Sequence, residues 1–145
     1  MIKYAYCVLA LAATAGLASA AFAQEGGRPL SAHMTGAAEK PNPGDPDGAG
    51  HASLRVNVGQ SQVCYELSVE NIAAATMAHI HKAPTTAAGP PVITLATPGA
   101  DGKSKDCATA DQAVVKDILQ NPDAYYVNVH NAEFPAGAVR GQLSK

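Results

Sequence analysis

His51-Ala-Ser-Leu-Arg-Val-Asn-Val58, then Gly59-Gln-Ser61, then Val63-Cys-Tyr-Glu-Leu-Ser-Val69 is the stretch that decides the fold. Ala52, Leu54, Val56 and Val58 share one parity, with Ser53, Arg55 and Asn57 on the other. Val63, Tyr65, Leu67 and Val69 repeat the pattern, with Glu66 and Ser68 opposite. Successive side chains of a strand point to opposite faces, so this alternation predicts two half-buried strands. The short polar connection between them predicts a hairpin.

Working outward, a first strand is expected over residues 30–35. A Pro/Gly/Asp-rich loop follows over 40–50. Further strands are expected over 76–82, 91–96, 124–130 and 138–143. Residues 97–105 read as a polar loop running into a strand near 103–107. One helix is expected over 110–120, with Thr109 and Gln112 in the spacing of a capping box and an apolar stripe of Ala113, Val114, Ile118 and Leu119. Pro122 ends it. Seven or so short strands separated by turn residues predict an all-β fold, an immunoglobulin-like or Greek-key β-barrel or sandwich.

The 145 residues carry 10 Lys/Arg against 12 Asp/Glu, a charge balance that gives no footprint for nucleic acid. The 47% hydrophobic content, with clean alternation, excludes a disordered chain. The N-terminus has the order of an export signal: Lys3, an apolar stretch over 4–17, then small-x-small sites at Ala18-Ser-Ala20 and Ala21-Phe-Ala23. Cleavage is expected after Ala23, with 1–23 the signal peptide, 24–29 a flexible leader and 30–145 the β domain. The protein would then be periplasmic or extracellular, with no membrane attachment after cleavage. Removing 1–23 also removes Cys7 and Lys3, leaving residues 24–145 at a net charge of −3, one below the −2 of the full chain. Two cysteines remain, Cys64 and Cys107. In an oxidising compartment they are expected to form a disulfide, the competing reading being a pair of thiolate metal ligands.

Strand parity also organises the polar side chains. His79 and His81 lie two apart and face the same side. Tyr126, Asn128 and His130 share a face of their strand, and Arg140 and Gln142 share a face of the last one. If these two strands form a hairpin, Asn128 falls near Arg140. Three imidazoles on one face can hold a transition-metal ion and leave a coordination position open. Copper is the favoured ion, with zinc or iron as alternatives. Glu39 is a candidate fourth ligand or a group behind the ligands, and Asn128, Tyr126 and Gln142 are candidates for orienting them. Such binding needs neutral imidazoles, so it is expected to weaken as pH falls. The simpler alternative is that His79 and His81 are solvated and His130 makes one structural hydrogen bond. His33 and His51 are expected to face solvent. No nucleophile elbow, phosphate-binding glycine loop or Cys-x-x-Cys is present.

The motifs Thr35-Gly-Ala-Ala-Glu39 with Pro41, Gly50-His-Ala52, Cys64-Tyr-Glu-Leu67, Ala78-His-Ile-His81, Gly89-Pro-Pro-Val92, Tyr125-Tyr-Val-Asn-Val-His130, Phe134-Pro135 and Gly137-Ala-Val-Arg-Gly-Gln-Leu143 occur in one order. In that order the chain resembles the chordin-type, or CHRD, domain family over about 30–143, in the form carried alone by secreted bacterial proteins. Lys40 departs from the resemblance, since the family often has an apolar residue there. The resemblance implies an immunoglobulin-like β-barrel and an extracytoplasmic role, and it includes the Ala-His-Ile-His and Asn-Val-His motifs. Three functions are therefore open. One is an exported module that binds a metal ion. The second is a redox enzyme resembling a copper superoxide dismutase, with Arg140 guiding a small anion, by analogy of architecture alone. The third is a metal-free structural or interaction module with an extracytoplasmic protein partner.

Overall fold

In a computed structural model the described residues are 26–145. The expected signal segment, its cleavage site and Cys7 lie outside them. Eight strands form one antiparallel sheet: β1 (Arg28–Thr35), β2 (Ala49–Asn57), β3 (Gln62–Glu70), β4 (Ala75–Lys82), β5 (Pro91–Leu95), β6 (Lys103–Thr109), β7 (Tyr125–Asn131) and β8 (Val139–Gln142). Their order is β5-β4-β7-β8-β1-β2-β3-β6. The two edge strands β5 and β6 approach one another, so the sheet curls into a nearly closed barrel. The Tyr65 hydroxyl accepts a 2.6 Å hydrogen bond from the Ala96 amide across that seam.

The deciding hairpin forms as its alternation requires, with Leu54 opposite Tyr65 and Ala52 opposite Leu67. Ala52, Leu54, Val56, Val63, Tyr65 and Leu67 are all buried in the barrel. Their counterparts from the other half are Ala78, Ile80, Val127, Val129 and Val139. The barrel is thus filled by one parity from every long strand, and the other parity faces outward.

Three boundaries differ from expectation. Arg28 and Pro29, expected in the leader, already pair with Val56 and Arg55 at the start of β1. β6 runs two residues past the expected 103–107, because β3 pairs with it as far as Val63 opposite Ala108 and Gln62 opposite Thr109. The helix, α1 (Gln112–Gln120), is capped by Asp111, whose carboxylate accepts from the Ala113 amide at 2.7 Å. Thr109 is still in β6, so it cannot serve as the cap. α1 buries Val115 and Ile118, while Ala113 is exposed. Asp117 ties the helix back to the barrel through Lys82 Nζ at 2.6 Å and the Tyr125 hydroxyl at 2.5 Å.

Cys64 and Cys107 are direct cross-strand neighbours on β3 and β6 and are joined as a disulfide. The pair lies on the outward parity of β3. Among the described residues, no helix is long and apolar enough to cross a membrane.

Candidate metal centre

On β4, Ala78 and Ile80 point into the barrel and His79 and His81 point out. On β7, Val127 and Val129 point in, and Tyr126, Asn128 and His130 point out. The register pairs His79 with Asn128 and His81 with Tyr126. The expected hairpin of β7 and β8 forms too, with Asn128 opposite Arg140 and Tyr126 opposite Gln142.

Most of this outward face is closed to solvent, the exceptions being the half-buried His79 and the exposed Met77 on β4. β7 is buried at every position from Tyr125 to Asn131. The barrel core covers one side of it, and two connecting segments cover the other. The first segment, 83–90, is strapped down by side chains of the polar face. Arg140 donates to the Ala87 and Pro84 carbonyls, each at 2.8 Å. Gln142 Nε2 donates to the Ala83 carbonyl at 2.8 Å and to Asp123 at 2.7 Å. The second segment is the β7–β8 connection through Pro135.

These two segments fix the imidazoles. His81 Nδ1 lies 2.8 Å from the Gly89 carbonyl, and His130 Nδ1 lies 3.0 Å from the Pro135 carbonyl. A carbonyl only accepts, so each Nδ1 carries the proton and each Nε2 presents a lone pair. His130 Nε2 is 3.2 Å from His79 Nδ1. His81 Nε2 is buried and has no hydrogen-bond partner. One ligand nitrogen from each of the three rings lies within 4.8 Å of the others. Two nitrogens bound at about 2.0 Å to one tetrahedral ion are roughly 3.3 Å apart, close to the His79–His130 separation.

Burial favours the uncharged form of all three rings and holds their pKa values below the usual histidine range. For His79 the neighbouring His130 and His81 act in the same direction. For His81 and His130 the main-chain carbonyls partly offset it. Neutral imidazoles with anchored Nδ1–H groups are the form in which histidine ligates metal.

The surrounding candidates take distinct places. Tyr126 stacks on His81, with centroids 4.9 Å apart and planes 10° apart. Asn128 is buried, opposite His79 on one side and Arg140 on the other, and its Oδ1 has no hydrogen-bond partner. Glu39 itself is buried against Gly137 and is not among the converging ligand atoms. Desolvation lifts its pKa to about 7, against the opposing pull of Arg140 and Asn128. Gly137, at φ 146°, permits that burial, because a Cβ there would overlap the carboxyl.

Arg140, expected as an anion guide, is 1% exposed. Its guanidinium is committed to the strap carbonyls and lies 3.5 Å over the Tyr126 ring, so an anion approaching from solvent cannot reach it. His33 is exposed and His51 half-buried; they pair across β1 and β2 on the opposite half of the barrel. Sequence reasoning missed the strap and its Gly89 carbonyl. The available signal was Gly89-Pro-Pro91, since a Cβ at position 89 would overlap the Lys82 carbonyl.

A family model for the CHRD domain matches residues 30–143. No curated protein and no solved structure matches the chain.

Proposed function

The chain belongs to the CHRD-domain family, and from that premise we propose that it is an exported module that holds one transition-metal ion, copper in preference to zinc or iron, on His79, His81 and His130. One observation carries the reading. Two buried imidazoles have Nδ1 tied to main-chain carbonyls, and their Nε2 atoms converge with the third ring, leaving His81 Nε2 unpartnered. A buried nitrogen lone pair without a donor costs stability, and a metal ion relieves that cost. The three protein ligands would leave a position open for a further ligand. Asn128 and Tyr126 would hold the His81 ring in place, and Arg140 and Gln142 would hold the strap that anchors it.

The test is titration of the disulfide-bonded protein 24–145 with copper and zinc, followed by metal analysis. We expect one ion per chain bound more tightly than micromolar, and at least 100-fold weaker binding by the His79→Ala/His81→Ala double variant. Equal binding by that variant, or no binding below micromolar, removes the site and leaves an interaction module with an extracytoplasmic protein partner in front. A redox enzyme is the less supported reading, because the residue that would steer an anion is occupied elsewhere.

A further inference from the structure

We propose that Met77 is the fourth ligand of this site and makes it a Cu(I) site. The inference rests on the metal reading above and adds to it the ion's oxidation state and the donor that selects it.

Met77 has the parity of His79 and His81 on β4, outward from the barrel, since Ala78 and Ile80 fill the interior. Its direct cross-strand partner on β7 is His130. Directly opposed residues hold their Cβ atoms roughly 5 Å apart on the same face. Along β4 its other neighbour on that face is His79. A methionine side chain is unbranched and flexible, so its sulfur can swing toward either ring.

Exposure fits the same role. Met77 is 46% exposed, and among the described residues it is the one exposed large hydrophobic side chain. A single exposed apolar residue needs no explanation by itself; the position of this one matters. His81 lies under the strap and His130 is anchored at Pro135, whereas His79 is half-buried. Met77 stands at the open end of the cluster, beside the ring that solvent still reaches.

The donor set then decides the ion. Three neutral imidazoles and a thioether bring no negative charge, and Arg140 adds positive charge on the same face. A divalent ion would remain in this partly desolvated site with no compensating anion, whereas a monovalent ion carries half that burden. Thioether sulfur is a soft donor that selects Cu(I) over Zn(II).

The experiment is an anaerobic competition titration of the disulfide-bonded protein 24–145. Cu(I) is supplied as its acetonitrile complex against a chromophoric Cu(I) chelator, with a parallel Zn(II) titration. Met77→Leu keeps volume and apolar character at an exposed position. We expect it to weaken Cu(I) at least tenfold and to change Zn(II) less than twofold. X-ray absorption of the copper-loaded protein should contain one sulfur at about 2.3 Å, absent in the variant. Unchanged Cu(I) affinity in the variant, equal losses for both ions, or no sulfur scatterer overturns the role of Met77 while the histidine site stands. Failure of the parent protein to bind either ion overturns both readings.

Discussion

Two pairs of histidines face outward from opposite halves of one barrel, and their surroundings make them different groups. His79 and His130 sit on β4 and β7 with ring centroids 5.1 Å apart. His33 and His51 sit on β1 and β2 with centroids 4.7 Å apart. The second pair is, if anything, the closer. Yet His33 is exposed, and the one polar side-chain contact in its pair is His51 Nε2 to Ser53 at 3.2 Å. In the first pair His130 is anchored to the Pro135 carbonyl, and the adjoining His81 is anchored to the Gly89 carbonyl, so chain above the sheet sets the tautomer and orientation of two of the three clustered rings. Proximity of imidazoles follows from register alone. Convergence of oriented lone pairs requires a second layer of chain above the sheet.

The halves also differ in what stabilises them. The half bearing His33 and His51 is joined by the Cys64–Cys107 disulfide, which spans 43 residues. The Cys64→Ser/Cys107→Ser variant is expected to lose about 4 kcal/mol of stability by loop-entropy arithmetic. Its metal affinity should stay within threefold under conditions where it remains folded. Urea unfolding and metal titration check the two arms, and a large loss of affinity would break the independence of the halves.

The next effect belongs to the covered half alone. Glu39 titrates near 7 in the folded protein against a reference of 4.5, so the native state holds the proton more tightly than the unfolded one. Stability contributed by this group is present below about pH 4.5 and is lost as pH rises through about 7. Glu39→Gln should therefore gain on the parent across that window, by up to roughly 3 kcal/mol at pH 8. Chemical denaturation of both proteins at pH 5 and pH 8 measures it. A pH-independent difference would mean that Glu39 is ionised throughout.

A smaller effect separates the strap from the bare face. Gly89→Ala sets a Cβ against the Lys82 carbonyl and moves the acceptor that anchors His81. Metal affinity should fall 10- to 100-fold. Gly59→Ala, in the β2–β3 turn where a Cβ meets ordinary contact only, should change affinity less than twofold. The smallest effect is expected from His33→Ala with His51→Ala. Metal stoichiometry should be unchanged and stability should shift by less than about 0.5 kcal/mol. A fall in stoichiometry would show that two close imidazoles suffice without a second layer, and the comparison would collapse.

Much of this was legible in the chain. The alternation of 52–58 and 63–69 specified a hairpin, because one residue of slippage would expose every apolar side chain on it. The same parity put His79, His81 and His130 on one face, since a strand has only two. The pairing of Asn128 with Arg140 followed from the connection length before β8. Less legible were the ends of elements. Thr109-Ala-Asp-Gln112 fits a capping box as written, but β3 drew Thr109 into the ladder opposite Gln62 and left Asp111 to cap. Local signals of similar strength are decided by whichever partner the fold brings near.

By itself the sequence determined an all-β fold of about seven short strands, barrel or sandwich, its inward parity, the cysteine pair and the face on which three imidazoles stand. These rest on period and spacing, which are local and survive without knowledge of contacts. Only the tertiary structure decided what covers that face. Gly89-Pro-Pro91 marks a constrained turn but does not say where residues 83–90 lie, and their position depends on Arg140 and Gln142, more than 50 residues away along the chain. That segment and the β7–β8 connection together bury the face: the imidazoles are shifted toward the neutral form, Arg140 becomes a clamp and not a steering charge, and Glu39, closed in by Gly137, is raised to about 7. Desolvation is a property of how many atoms surround a group, and those atoms arrive from distant parts of the chain.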